Sequence, residues 1–540
     1  MSESAIYRNR RMVGLILAGL FILFTCTGSY GQSASGRQEI QKLIAAMQII
    51  DLAYVDSINM QDVVTDAIVK SLKSLDPHSS YISKEDVRKA NEPLEGSFEG
   101  IGVTFQIYHD TILVISPVPG GPSDKLGILS GDKIVIINGE SATGSEISNE
   151  WVMERLRGKK GTMVDVSIFR KGRSELLNFT IERDKIPLNS IDASFMAAPE
   201  VGYIRLNRFS KTSIEEFTGA IETLKDQGMV SMILDLRGNS GGFLNIAVEL
   251  ADEFLEMGRL IVYTEGINSP RQNYYATPSG DFKTGNLVII IDEASASASE
   301  IVSGAVQDLD RGLVIGRRSF GKGLVQRPFS LPDGSVIRLT TARYYTPSGR
   351  SIQRPYENGS EEYYRDMRNR FQRGEFIHVD SIEFPDSLKF STLKGRTVYG
   401  GGGIMPDVFI PWDSTMFSDY YVDLRRKGLL NSFTLDYVEE NRIRIQEEYP
   451  SWDQFNADFE TEGEVLERFF DRVEKEGIEF NEADWDVSQL LIKTQIKALI
   501  ARHVWDINAY YQIMLTIDNE YNKAVELLRD EAAFRKFNIG

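Results

Sequence analysis

The sequence predicts a multidomain α/β protein, and three observations carry that prediction. The 540 residues are enough for three or four domains at roughly 150 residues each. From Val201 to about Ile352 the pattern runs strand, loop, helix, and then repeats. On either side of that stretch the pattern changes, to a short β-rich module before it and to long helical regions at both ends of the chain.

Taken in order, residues 1–31 read as an export signal. Arg8, Arg10 and Arg11 precede an apolar run from Met12 to Phe24, and small polar residues follow at Ser29 and Gly31. The run is shorter than the roughly 20 apolar residues a membrane span needs. An uncleaved anchor is one alternative. A lipoprotein modified at Cys26 is another, although Leu-Phe-Thr before Cys26 is a poor match. The expected location is therefore exported and periplasmic, with the chain soluble or held peripherally at a membrane.

Residues 37–94 form an N-terminal helical region. Ile40, Leu43, Ile44, Met47 and Ile50, then Val63, Val64, Ala67, Ile68 and Leu72, recur at helical spacing and predict two amphipathic helices joined near Asp56–Asn59. Asp76-Pro77-His78-Ser79-Ser80 reads as the end of the second helix. Residues 95–185 predict five or six strands and one or two helices, separated by turns at Gly120-Gly121-Pro122, Gly139 and Gly172.

Residues 186–411 hold the α/β core. Val230–Leu236 reads as a buried strand, Arg237 to Gly242 as a glycine-rich turn, and Phe243–Leu255 as a helix. Leu287–Ile291, Asp292–Ser297 and Ser299–Leu309 repeat the plan. Residues 355–399 are charged and aromatic and read as an irregular surface insertion. Residues 412–540 are acidic and helical, with four glycines in all.

Composition removes several functions. The net charge is −18, which argues against a nucleic-acid partner, since phosphate contacts need a clustered basic surface. The single cysteine, Cys26, lies inside the apolar leader, so the mature chain has no disulfide framework, no Cys-based zinc site and no thiol nucleophile. The four histidines, His78, His109, His378 and His503, are scattered and form no H-E-x-x-H. No metal and no cofactor is expected.

The chemistry concentrates in two segments. In Asp292-Glu293-Ala294-Ser295-Ala296-Ser297-Ala298-Ser299-Glu300 a strand gives way to a helix. A serine there sits beside free helical N–H groups that favour a developing oxyanion, although Ser/Ala-rich residues also simply cap helices. A serine hydroxyl needs a base. No histidine belongs to the core segment, which disfavours a Ser-His-Asp triad. Lysine is the other candidate if it is neutral; from a reference near 10.4 its pKa must fall by about 3, roughly 4 kcal/mol, which burial among apolar groups supplies. Lys322, in Ser319-Phe320-Gly321-Lys322-Gly323-Leu324-Val325-Gln326, lies between two glycines in apolar surroundings, with Gln326 placed to hold its amine. Read alone, a Gly-Lys-Gly could equally be a solvated loop. Gly241-Gly242 and the residue after the serine, Ala298, are candidate backbone donors for an oxyanion.

Together these residues resemble the C-terminal processing (tail-specific) peptidases, a Ser-Lys protease family, over roughly residues 40–410. Asp235 to Gly242 is similar to the family's glycine loop, Ser295 to Glu300 to its nucleophile motif, and Gly316 to Gln326 to its base motif. Thr341 to Gln353 and Gly401 to Asp407 are similar to its closing motifs, and the spacing of 25 residues from Ser297 to Lys322 agrees with the family pattern. The resemblance implies a crotonase/ClpP-like α/β protease core. In that core Ser297 is the nucleophile, Lys322 the general base, Gln326 the residue that positions Lys322, and Gly241 and Ala298 the oxyanion donors. The β-rich module resembles a PDZ domain, in which Gly100, Ile101, Gly102 and Val103 receive a peptide C-terminus.

The expected activity is a serine endopeptidase that cleaves exported or envelope proteins through an acyl-enzyme and selects apolar C-terminal tails with the PDZ module. The alternative from another class is a PDZ scaffold or adaptor on a catalytically silent core. The chain departs from the family pattern between Gln353 and Gly402, usually closely joined, where the long insertion has no assigned role. The terminal helices are candidates for homodimerisation or substrate gating, with an inert extension as the alternative.

Overall fold

The structure, a computed structural model, describes residues 34–108 and 110–539. The expected export signal and Cys26 lie outside the described residues.

The chain divides into two compact units, residues 1–72 and 73–540. In the first, the helix Ala34–Ala53 leaves Ile40, Leu43, Ile44 and Leu52 exposed, and Met60–Lys73 follows after the break near Asp56–Asn59. No described helix is long and apolar enough to cross a membrane.

The second unit is built on a six-stranded sheet in the order Ile191–Ala198, Val201–Leu206, Ser231–Asp235, Leu287–Ile291, Leu313–Gly316, Val408–Phe409. The first pair is antiparallel and the rest are parallel. Ser231–Asp235 and Leu287–Ile291 are buried along their whole length, as parallel strands covered on both faces require. On one face Leu234, Leu287 and Ile289 pack against Leu250, Ile301, Val302 and Ala305 of the helices Leu244–Asp252 and Ala298–Asp308. On the other face Tyr203, Ile233, Val288 and Ile290 meet Ala524, Leu527 and Leu528 of the helix Asn519–Arg529. The end of the helical C-terminal region is thus part of the core. The rest of that region has its own core around Leu424, Phe433, Phe455, Phe469, Ile492 and Ile496.

A second sheet of five strands carries Leu324–Ser330, which runs out of the Lys322 loop, and the long strand Val336–Tyr345 beside it. The β-rich module has six strands and buries Ile112, Val114, Ile134, Ile137, Val152, Val166 and Ile168. It joins the core through a two-stranded stem, Ser97–Gly100 against Asp184–Pro187.

The insertion differs from the irregular surface segment expected. Its charged and aromatic residues form a helix, Ser360–Gln372, two single turns, and a hairpin of Lys389–Ser391 with Thr397–Tyr399. The helix turns Tyr363 and Arg370 inward, 2% and 1% exposed, because their polar tips have partners on the core that chain separation hides from a sequence reading.

Candidate active site

Ser297 stands between the buried strand Leu287–Ile291 and the helix Ala298–Asp308. Its backbone is held at φ 55, ψ −108, a region non-glycine residues rarely occupy and that costs about 1–3 kcal/mol. Fixed neighbours enforce it. Asp292 Oδ1 accepts from Ala294 N at 3.0 Å and Ser295 N at 3.0 Å, and Ser295 Oγ donates to Leu236 O at 2.8 Å. Asn239 O accepts from Ala296 N at 3.0 Å and from Ser299 Oγ at 2.8 Å. The glycine loop and the nucleophile segment are thereby laced together on both sides of Ser297.

Gly241 makes the closest approach in this lacing. A Cβ there would stand 2.9 Å from Ala296 O, 2.9 Å from Ser297 Cβ and 3.0 Å from Ala298 N, and its φ of +104 adds a second reason for glycine. Gly241 and Ala298 therefore flank Ser297. The Gly241 N–H itself donates to Asn239 Oδ1 at 2.9 Å, so binding an oxyanion there requires it to be shared or released.

At the root of this loop Asp235 is fully buried. Burial pushes its carboxyl up, but Arg237 and Arg205 beside it hold it below the usual carboxylate range. Arg237 also pairs with Asp518, 2.7 Å away, which ties the loop to the C-terminal helices.

Lys322 follows the strand Leu313–Gly316 in a loop held by groups from elsewhere in the chain. The fully buried carboxylate of Glu300 accepts from Ser297 N at 2.8 Å, Gly321 N at 2.7 Å, Lys322 N at 2.9 Å and Ser319 Oγ at 2.5 Å. One side chain thus fastens the Ser297 turn to the Lys322 loop. Burial pushes the Glu300 carboxyl up, and these four donors oppose it. The Tyr344 hydroxyl makes a second tie, 3.0 Å from Ser297 O and 2.9 Å from Lys322 O. Gln353 Oε1 accepts from Gly323 N at 2.8 Å, and Arg354 N donates to Gly321 O at 3.1 Å.

The Lys322 amine donates to Gln326 Oε1 at 3.2 Å. Among the described residues no carboxylate lies within ion-pair distance of it. Burial pushes its pKa down and Arg338 adds to this, against the pull of Glu300 and Asp76.

His78 is distant in sequence, but its carbonyl accepts from Gln326 Nε2. The Asp76–Ser80 segment, expected only to end a helix, is folded against the base. Burial, then the neighbouring Lys322, bring the His78 imidazole down to about 4.

In the β-rich module, Val103–Tyr108 is a sheet edge, paired on one side with Thr111–Pro117. Gly100 closes the stem, and Ile101 is buried with its carbonyl accepting from Ser123 N at 3.1 Å and Ser123 Oγ at 2.7 Å. Gly102 has φ +74, and a Cβ on it would reach within 2.9 Å of Ile186 Cδ1.

The sequence reading missed Glu300, Tyr344 and His78 as parts of this site. The S-x-x-E spacing of Ser297 and Glu300 is a capping-box signal that could have drawn attention to Glu300. Nothing local marks the other two.

Comparison with known proteins adds independent findings. The model of peptidase family S41 matches residues 200–358, that of the PDZ domain residues 100–181, and that of a family of unknown function residues 420–506. The carboxy-terminal-processing protease of Bartonella bacilliformis is 32% identical over 347 residues, 63% of this chain and 79% of that one. The carboxy-terminal processing protease CtpA of Bacillus subtilis is 32% identical over 348 residues, 64% of this chain and 74% of that one. CtpB of the same organism is 33% identical over 318 residues, 58% of this chain and 66% of that one. This chain belongs to the carboxy-terminal processing proteases of peptidase family S41, serine-type peptidases that act on proteins, and it carries the PDZ domain.

Proposed function

We propose that the protein is an endopeptidase that cleaves by an acyl-enzyme route, with Ser297 as nucleophile and Lys322 as general base. The Ser297 hydroxyl passes its proton to the neutral Lys322 amine as its oxygen attacks the scissile carbonyl. The N–H groups of Ala298 and Gly241 receive the oxyanion. The protonated amine then gives its proton to the leaving peptide nitrogen, and water, deprotonated by the same amine, releases the acyl group. Gln326 keeps the amine in place. The observation that carries this reading is a buried lysine with no carboxylate at ion-pair distance among the described residues, in a loop fastened to the Ser297 turn through Glu300.

The PDZ module selects substrates by an apolar C-terminal tail, which adds as a strand along Val103–Tyr108 with its carboxylate at Gly100–Val103. The edge position of Val103–Tyr108 in its sheet and the turned backbone at Gly102 support this. The arginine-led apolar leader supports export, with action in the periplasm on exported or envelope proteins, soluble or at the membrane surface. The exposed Ile40, Leu43 and Ile44, 49–53% accessible, support pairing of two copies through terminal helices.

The test is cleavage of an unfolded protein ending in an apolar tail. Ser297→Ala and Lys322→Ala are expected to abolish it while both variants still unfold cooperatively on heating. Undiminished cleavage by either variant overturns the dyad. An unmodified protein that binds the tail without cutting it is the scaffold instead.

A further inference from the structure

The insertion between Gln353 and Gly402 takes no part in the chemistry above, yet its helix Ser360–Gln372 reaches toward the base. Two consecutive tyrosines grip the Asp76–Ser79 segment. The Tyr363 hydroxyl lies 2.9 Å from His78 Nε2, with the two rings edge to face and their centroids 5.1 Å apart. The Tyr364 hydroxyl donates to Pro77 O at 2.6 Å. Asp76 fixes the same segment from within, its Oδ1 accepting from His78 N at 2.7 Å and from Ser79 N at 2.8 Å.

What this segment presents to the site is the His78 carbonyl, which accepts from Gln326 Nε2. An amide committed to donating at Nε2 has its Oε1 turned the other way, and that oxygen accepts from Lys322 Nζ. The same helix holds the start of the base loop, since Arg370 donates to Ser319 O at 3.0 Å and Arg318 O at 2.7 Å. Arg354 locks the arrangement, its guanidinium 4.0 Å from the Phe320 ring and 3.9 Å from the Tyr363 ring.

We propose that Tyr363 and His78 are positioning residues for the general base: Tyr363 holds His78, the His78 carbonyl orients the Gln326 amide, and Gln326 aims the Lys322 amine at Ser297. The proposal rests on the reading of Lys322 as base and gives the insertion a catalytic reason to exist. The ionisable groups that bear on His78 are Lys322, Asp76 and Arg354, and those that bear on Lys322 are Arg338, Glu300 and Asp76. With its pKa near 4 the imidazole is neutral at neutral pH, so Nε2 is free to accept from the tyrosine.

A kinetic cycle on the full chain tests this, with unfolded β-casein as the probe. Tyr363→Phe keeps the ring between its neighbours and removes one hydroxyl. The expected result is a fall in kcat of about tenfold, the loss of one aligned hydrogen bond, with KM within about twofold and an unchanged melting temperature. In a Gln326→Ala background the same substitution is expected to have no further effect, because the link it acts through is gone. His78→Ala, which keeps the carbonyl but frees the segment, is expected to reproduce both results and replaces Tyr363→Phe if that variant does not fold. An unchanged kcat, or an equal loss in both backgrounds, overturns the positioning chain. Lys322→Ala separates the two layers: activity that survives it removes the base assignment itself, whereas its loss together with an additive cycle removes only the role of Tyr363 and His78.

Discussion

The Ser297 turn and the Lys322 loop are tied together through Glu300 and Tyr344 but are built in different ways. Around Ser297 the turn is closed by neighbours close in sequence and braced from outside by Leu236, Asn239 and Tyr344. Asp292 holds Ala294 and Ser295, Glu300 holds Ser297 N, and every residue of the helix Ala298–Asp308 is buried. Around Lys322 the partners come from far away: Glu300, Tyr344, Gln353, Arg354, Arg370 and, 248 residues from Gln326, His78. A strained turn can be encoded by the residues that make it. A lysine whose pKa is lowered cannot, because that pKa is set by what excludes water from it, and that is the whole tertiary structure.

The sharpest way to break the comparison is Lys322→Met. The side chain keeps its length and loses its charge, so activity is expected to fall by at least about a thousandfold. Stability is expected to move the other way. The folded-state pKa of Lys322 lies below its unfolded value of 10.5, so the lysine weakens the fold as pH falls below that unfolded value. Methionine removes the penalty, and the melting temperature at pH 7 is expected to rise. A lower melting temperature contradicts the desolvated amine.

Glu300→Gln attacks the one side chain shared by both halves. An amide cannot accept all four donors, so two or more are left unpaired in a dry place. The expected outcome is a loss of about 2 kcal/mol in stability and about a hundredfold in kcat, read by calorimetry and casein cleavage. Smaller and confined to one parameter is Gly102→Ala in the PDZ module. Its left-handed backbone and the nearby Ile186 resist a side chain, so KM for a tail-bearing substrate is expected to rise about tenfold while kcat for a tail-less one holds. Smallest is Arg338→Gln. Arg338 pushes the Lys322 pKa down, so its removal lets that pKa rise. The acid limb of the kcat profile, where Lys322 takes up its proton, is expected to move to higher pH by less than about 1 unit. Movement to lower pH rejects the lysine as the group that titrates.

The same contrast explains what was legible in the sequence. The strand–turn–helix repeats, the Gly241-Gly242 turn and the boundaries of Leu287–Ile291 follow from apolar runs and glycines that act where they stand. Gln326 was legible because it lies four residues from Lys322. His78 lies outside the core segment and Tyr363 in a segment whose charges suggest solvent, yet 285 residues apart they meet at 2.9 Å. Side chains that find their partners only after the chain has folded leave no periodic trace.

One feature of the insertion reaches past this protein's own mechanism. Gly401 N donates to Ser351 O at 2.7 Å and Gly403 N to Ile352 O at 2.8 Å, so the excursion leaves the core and returns at adjoining points. A loop with touching ends can lengthen, shrink or be exchanged at small entropic expense without disturbing the scaffold beneath it. Such a cassette lets evolution, or a protein engineer, adjust the turnover of a peptidase by swapping a peripheral graft while the reacting groups stay untouched.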